Sequence, residues 1–443
     1  NVSFPGGNGR LDPGETLDMV LTLENIGSVD AEGVTATVMT EDDYTTMESE
    51  SSNFGSIPVG GSRNNSLNPM VISSDPGTFD GRTLNLILNT TTSSGAQSSV
   101  PFTVTVGNVL ASDPVGPDAY GYYMFDNTDA GYAPQPTYDW VEIVPNLGGQ
   151  GTRLNYSYPY DDESIMTSLP FDFIYYGRAY RSMIVCTNGF AAVDISPYDM
   201  GGTYWYNFYN WPIPDPGNAR GQISPFWDDL EYSGSTYGVY TWYDEDNHRF
   251  IIEWYRMSHT NTGSTETFEM IITDPAYHPT ITGDAEIYYQ YQTIVNNDSG
   301  ELYSSVGFES FDQLTGIEYT FDNSYAPGAA TLSSGRAIKI TTNTGRGAIM
   351  GNVDLSNFGF NQDVKVSTST GQYRITPQSG DYWIKDVPPG RPDVIAKIRG
   401  YFPMTLEGID VEADVTTPDV DFDMTRCPIP ENLEASEGLG DRI

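Results

Sequence analysis

Hydrophobic and polar residues alternate with a period of two along most of the chain. In the segment 16–24, apolar side chains fall at every second position, at Leu17, Met19, Leu21 and Leu23. The same alternation recurs at 34–38, 84–88 and 100–106. This period is typical of a strand that buries one face in an antiparallel sheet. Because no stretch carries a 3.6-residue apolar stripe, the pattern predicts an all-β fold.

Turn clusters and a change in composition predict three consecutive antiparallel β-sandwich domains. We expect residues 1–107 to form a small immunoglobulin-like sandwich of roughly seven strands. Aromatic residues become denser after Gly107, and residues 108–343 are predicted to form a larger, jelly-roll-like sandwich. Residues 344–425 are predicted to form a third sandwich. The residues 426–443, rich in Pro, Glu and Gly, are expected to be a linker or the start of a further module.

The charge of the chain excludes two classes of partner. Sixty acidic residues against 20 basic ones give a formal net charge of −40. Such a chain repels phosphate backbones and anionic lipid, so we expect neither nucleic-acid binding nor membrane insertion. No apolar run reaches the ~20 residues that a membrane span needs. The chain starts at Asn1 without Met or a signal peptide, so we expect a processed piece of a longer precursor.

Three resemblances to known families can be stated on particular motifs. The run 7–15, Gly-Asn-Gly-Arg-Leu-Asp-Pro-Gly-Glu, with the strand after it, resembles the opening of CARDB-type and gingipain-type immunoglobulin-like domains. The segments 169–177, 184–190 and 223–230 are similar, in order and content, to the signatures of nidogen-type extracellular domains. The motif Asp-Val-Pro-Pro-Gly at 386–390, after Gly-Asp-Tyr-Trp-Ile, resembles carboxypeptidase-regulatory-like (transthyretin-type) sandwiches. All three resemblances imply an extracellular or cell-surface, mostly non-catalytic protein.

Oxygen side chains on the glycine-rich first loop make it a candidate calcium site. Asn8, Asp12 and Glu15 supply oxygen atoms, and Ca²⁺ accepts six to eight such ligands with loose geometry. The alternative is a polar turn in which Asp12 caps the backbone amide of Gly14 or Glu15.

Two further acidic groups are candidate metal ligands. Asp228 and Asp229 are adjacent, and neighbouring residues of a strand point to opposite faces, so a paired acid–base role is disfavoured. One of them is predicted to cap a turn or to hold Ca²⁺, unless both are solvated. The other group is an acidic loop for which calcium and a plain acidic surface are the alternatives; it comprises Asp113, Asp118, Asp126 and Asp129.

An aromatic run at 204–211 is a candidate contact surface. Its members with a phenol or indole ring are Tyr204, Trp205, Tyr206, Tyr209 and Trp211. Such rings stack on sugars, and they are also enriched at the centres of protein interfaces. A glycan, a partner protein and internal packing remain the three alternatives.

The sequence predicts no catalytic centre. No Gly-x-Ser-x-Gly motif is present, neither cysteine has a catalytic context, and His248, His259 and His278 lack a metal-binding spacing. We therefore expect a secreted, non-catalytic structural or adhesive protein, self-assembling into a fibre or layer or binding another surface protein. The alternatives are the accessory C-terminal region of a secreted peptidase precursor and a carbohydrate-binding module.

Overall fold

Antiparallel β-sheets make up almost all of the regular structure. The computed structural model describes residues 1–40, 42, 44–76, 78–157, 161–193, 208–259, 262–297, 303–355 and 360–428. In these ranges the regular structure consists of β-strands and one 3₁₀ turn at Pro145–Leu147. The prediction of an all-β fold is confirmed. The chain divides into two compact units, the second of which begins at Arg346.

The first sandwich has two sheets, with strand orders β1-β2-β7-β4 (β6 also pairs with β2) and β5-β3-β8-β9. Its strands are β1 Val2–Ser3, β2 Thr16–Glu24, β3 Ala31–Thr40, β4 Thr45–Ser49, β5 Ser51–Ile57, β6 Ser62–Asn64, β7 Met70–Ser74, β8 Thr83–Thr91 and β9 Gln97–Thr105. The alternation noted in β2 places Met19 and Leu21 in the core between the sheets, with Val38, Ile72 and Leu86.

The following region is built on two larger sheets. Its strands are β10 Tyr123–Asp126, β11 Thr152–Arg153, β12 Ser164–Tyr175, β13 Arg178–Cys186, β14 Ala191–Ala192, β15 Gln222–Trp227, β16 Leu230–Glu231, β17 Gly238–Asp244, β18 Arg249–His259, β19 Thr265–Thr273, β20 Ile287–Thr293, β21 Ser305–Glu309, β22 Gly316–Phe321, β23 Ser324–Tyr325 and β24 Ala337–Thr341. One sheet has the order β10-β24-β20-β19-β18-β17-β11, with β16 on β18. The other has the order β12-β13-β14-β15-β21-β22-β23.

The sheet that contains β18 and β19 is covered on both faces, which explains the nearly continuous apolar sequence of these strands. Its inner face, with Trp254, Phe268 and Met270, belongs to the main core. Its outer face carries Ile251 and Ile271, which pack against the segment around residues 141–144.

That segment, residues 139–144, is called the strap because it crosses the outer face and is fastened by side chains. Glu253, Glu269 and Gln290 are cross-strand neighbours on β18, β19 and β20. Every second backbone N–H of the strap donates to one of them: Asp139 to Gln290 Oε1 at 2.5 Å, Val141 to Glu269 Oε1 at 3.2 Å and Ile143 to Glu253 Oε2 at 3.2 Å. A row of side-chain acceptors therefore satisfies backbone donors that the sheet itself cannot reach.

The second unit contains two small sheets, with orders β28-β25-β31 (β32 also pairs with β25) and β27-β26-β29-β30. Its strands are β25 Gly347–Asp354, β26 Lys365–Thr368, β27 Tyr373–Ile375, β28 Asp381–Val387, β29 Val394–Lys397, β30 Met404–Leu406, β31 Thr416–Thr417 and β32 Phe422–Asp423. Ile349, Val366, Ile384 and Phe422 form its core. The pairings of β25 with β31 and β32 are parallel, unlike those predicted from the alternation.

Candidate functional site

Three carboxylates converge beside the end of β15. Asp229 follows that strand, whereas Asp161 and Asp162 lie in the loop before β12. One oxygen of each lies within 4.8 Å of the others, and all three side chains are half-buried. Asn188 donates its side-chain N–H to Asp162 Oδ1 at 2.9 Å, which orients that carboxylate. We call Asp161, Asp162 and Asp229 the carboxylate cluster.

Negative charge is concentrated at this cluster. Partial burial, followed by the charges of Asp162 and Glu231, raises the pKa of Asp161 to about 6. Like charges disfavour one another's ionisation, and a bound cation would reverse that penalty. Hard oxygen ligands suit Ca²⁺, for which three carboxylates supply part of the shell and water the rest. The cluster is thus the place where the described residues best fit a divalent cation.

A buried histidine lies next to the cluster. The imidazole of His259 is fully buried, with Nε2 2.9 Å from Glu266 Oε1 and Nδ1 3.5 Å from Asp228 Oδ2. Glu266 also accepts the backbone N–H groups of Val295 at 2.8 Å and Asn296 at 3.1 Å. The imidazole therefore joins the end of β18 to β19 and to the turn after β15, and Glu266 extends these contacts to the segment after β20.

The adjacent residues Asp228 and Asp229 have different surroundings. Asp228 is fully buried and faces His259, and its Oδ1 accepts the backbone N–H of Asp229 at 2.8 Å. Asp229 instead faces Asp161 and Asp162, with which it forms the carboxylate cluster. This divergence follows from their positions as consecutive residues at a strand end.

The first loop brings Asn8, Asp12 and Glu15 together with an arginine. Asn8 donates its side-chain N–H to Asp12 Oδ2 at 2.6 Å, and Arg10 pairs with Asp12 Oδ1. The hydrogen bonds from Arg10 and Asn8 lower the pKa of Asp12. Glu15 accepts the backbone N–H of Asp12 at 3.0 Å through its side chain and donates its own backbone N–H to the main-chain oxygen of Asp12 at 3.1 Å, so the two residues close a turn. Calcium binding by this loop stays a prediction.

Asp118 closes a turn before β10. Its Oδ1 accepts the backbone N–H groups of Tyr120, Gly121 and Tyr122 at 2.9 to 3.0 Å, and its Oδ2 accepts the hydroxyl of Tyr176 at 2.5 Å. Burial raises the pKa of this carboxyl, and the hydrogen bonds act in the opposite direction. Its oxygens are engaged by donors of the chain itself.

The other members of the predicted acidic loop are buried, and one of them pairs with an arginine. Asp126 accepts the hydroxyl of Tyr319 at 2.7 Å and lies 3.2 Å from Nη1 of Arg336. Asp129 accepts the N–H of Asp126 at 2.7 Å, and burial, followed by the charge of Asp126, raises its pKa to about 8. Asp113 accepts a tyrosine hydroxyl at 2.9 Å. Within the described ranges, these carboxylates are not part of the convergent cluster, and calcium binding by them stays a prediction.

The aromatic run is described only in part. Tyr204, Trp205 and Tyr206 lie outside the described residues. The exposed fractions of Tyr209 and Trp211 are 40% and 50%. The main-chain oxygen of Trp211 accepts the hydroxyl of Ser305, the first residue of β21, at 2.8 Å.

Sequence reasoning missed Asp161, Asp162, Glu253, Glu269 and the role of His259. The two glutamates did carry a signal, because each interrupts an otherwise apolar strand. Asp161 and Asp162 carried none, since they meet Asp229 only through the fold.

Comparison with known proteins identifies the middle of the chain. The family model described as NIDO related matches residues 136–350. This range contains the strap, the carboxylate cluster and the strands from β11 to β24. The middle part of the chain is therefore nidogen-like, as its motifs predicted, and the match indicates an extracellular module.

The match stops short of the rest of the chain, so the CARDB-type and transthyretin-type resemblances stay predictions. No curated protein matches the chain. No helix that could cross a membrane is found in the ranges that the structure describes.

Proposed function

We propose that this protein is a non-catalytic, extracellular structural or adhesive protein that associates with further copies of itself. The nidogen-like region at 136–350 carries the proposal, because it places an extracellular module within a chain of antiparallel sheets. Association with a different surface protein is the alternative, and a monodisperse monomer in the tests below would favour it.

An exposed apolar row on the first sandwich supports a contact with another copy. Met39, Ile87 and Pro101 are cross-strand neighbours on β3, β8 and the edge strand β9. The exposed fractions of Met39 and Ile87 are 55% and 46%. Because Pro101 lacks an N–H, it weakens pairing along this edge, which favours contact through the sheet face.

Charge opposes such association, and divalent cations would relieve it. A net charge of −40 makes the copies repel one another. We propose that calcium bound at the carboxylate cluster, which lies in the nidogen-like region, reduces this repulsion locally. The geometry that supports this site is the convergence of three carboxylate oxygens within 4.8 Å.

Sedimentation velocity and electron microscopy of the full chain, with calcium and with a chelator, test the proposal. We expect larger species with calcium and dissociation with the chelator. Ile87→Glu should reduce association, whereas Ile26→Glu, at a position that is 91% exposed elsewhere in the first sandwich, should not. A monodisperse monomer under all conditions would contradict self-association.

Calorimetric titration with calcium tests the cation site separately. The double variant Asp161→Asn, Asp229→Asn should lose one binding event. The control Glu245→Gln, which removes an exposed charge from the same region, should keep it. Equal calcium binding by all three proteins would exclude the cluster as the site.

A further inference from the structure

A groove lies on the outer face of the sheet that carries the strap. It has a volume of about 590 Å³, within the range of roughly 300–1,000 Å³ typical of small-molecule sites. Its floor consists of strand side chains at the margin of the strap, including Ile271, Tyr288 and Lys339. Residues 133–137 form one wall, and the loops at 246–248 and 277–278 form the other.

An exposed aromatic ring stands in this second wall. The rings of Tyr277 and His248 are stacked, with centroids 3.4 Å apart and planes within 5°. Tyr277 nevertheless remains 60% exposed. Since His248 covers one face of the phenol ring, the exposed area lies mainly on the other face and the edge. The stacking fixes the orientation of the Tyr277 ring before a ligand binds, and we call this ring the platform.

The loops behind the platform are held to each other. Asp244 accepts hydrogen bonds from the side chains of Asn247 and Arg249, both at 2.8 Å. His278 Nε2 lies 3.0 Å from the main-chain oxygen of Asn247, and the N–H of Asp274 donates to the main-chain oxygen of His248 at 2.9 Å. Such preorganisation lowers the entropy that binding would otherwise cost.

The charges that line the groove are balanced. Arg249 and Lys339 are the basic side chains other than histidine, and Asp139 and Asp246 are the acidic ones. Arg249 and Lys339 are each already paired with a carboxylate, at 2.8 and 2.7 Å. A strongly charged ligand would have to displace these pairs, whereas hydroxyl groups can accept from the cations and donate to the carboxylates without breaking them.

Because His248 holds the ring of Tyr277 in place and the charges of the lining are balanced, we infer that the groove binds a neutral saccharide, with one sugar ring on the exposed face of Tyr277. The residues that line the groove include neither the carboxylate cluster nor Tyr209 and Trp211 of the aromatic run. It would give the protein a contact with a neutral surface polysaccharide, independent of any contact between copies of the chain.

An array of neutral and acidic oligosaccharides, probed with the full chain, tests the inference. We expect binding to at least one neutral glycan, and titration with that glycan then compares variants. Tyr277→Ala should weaken binding about tenfold, the loss expected when one aromatic contact is removed. Tyr277→Phe should bind like the parent chain because the ring remains.

Two further variants test the groove while leaving Tyr277 unchanged, so that a folding defect of Tyr277→Ala cannot decide the result. Asp246→Trp, at an exposed position on the groove wall, should block binding without touching the platform. Trp211→Ala removes an aromatic ring that is 50% exposed outside the groove and should leave affinity unchanged. Binding to no neutral glycan, binding only to acidic glycans, or loss with Trp211→Ala but not with Tyr277→Ala would each overturn the inference. None of these outcomes bears on self-association.

Discussion

The strap should become less stable as pH rises, because it is fastened by buried glutamates. Glu253 and Glu269 are both fully buried. Burial, followed by the charge of Glu142, raises the pKa of Glu253 from 4.5 to about 8. Burial also raises the pKa of Glu269 well above its ordinary value, and the charge of Glu253 adds to the rise. Near neutral pH Glu253 therefore holds a proton in the folded protein.

The direction of this pH dependence follows from the number of protons bound in the folded and in the opened state. When the strap opens, Glu253 returns to water, its pKa falls to the ordinary value and its proton is released. Stability from this group is complete below about pH 4.5, declines as pH rises, and is fully lost above about pH 8. At about 1.4 kcal/mol per pH unit, the decline amounts to about 2–3 kcal/mol between pH 6 and pH 8.

Glu253→Gln isolates this contribution. The amide oxygen can still accept the N–H of Ile143, whereas the side chain no longer titrates. Relative to the parent chain, we expect a gain of about 2 kcal/mol at pH 6 that grows by a further ~2–3 kcal/mol at pH 8. Hydrogen exchange of the Val141 and Ile143 amides, expressed as protection factors, measures the local opening. Glu245→Gln, at an exposed position, is the control.

The number of protons released when the strap opens must therefore differ by one between the parent chain and the Glu253→Gln variant. The comparison is needed because other carboxyls, such as Asp129, also have raised pKa values. If both chains show the same change in protection between pH 6 and pH 8, Glu253 is ionised in the folded protein and the reasoning is refuted.

Two substitutions test the packing of the nidogen-like region. Arg336→Met leaves the buried Asp126 without its cation and should lower the free energy of unfolding by about 3–5 kcal/mol. Arg181→Met breaks an exposed ion pair and should lower it by less than about 1 kcal/mol. Thermal unfolding measures both variants, and equal effects would contradict a structural role for the buried pair. Gly189→Ala would place a Cβ 1.8 Å from a main-chain oxygen, whereas Gly263→Ala, also at positive φ, meets nothing within 4 Å. The first variant should therefore be less stable by about 1–3 kcal/mol, and equal stability would mean that the main chain adjusts freely.

The strands could be predicted from the sequence because alternation is a local property. In β2, the period of two identified the residues that the core buries, including Met19 and Leu21. The nidogen-like region was predictable for a similar reason, since its motifs lie in strands and turns. The carboxylate cluster was not, because about 67 residues separate Asp162 from Asp229 and only the loop before β12 brings them together. Pairing between distant segments leaves no periodic signal in either one.

The buried glutamates on β18 and β19 are visible in the sequence as charged residues in apolar strands, but the sequence does not show which segment supplies their hydrogen-bond donors. A carboxyl group in an apolar strand requires a hydrogen-bond donor, since burying it without one would cost several kcal/mol. Glu253 and Glu269 find their donors in the backbone of the strap, more than 100 residues earlier in the chain. The same contacts determine where the strap lies, and therefore which part of the outer face remains open as the groove. Polar residues in the middle of apolar strands thus fix the position of a crossing segment, and the residues just before that segment, 133–137, form one wall of the groove.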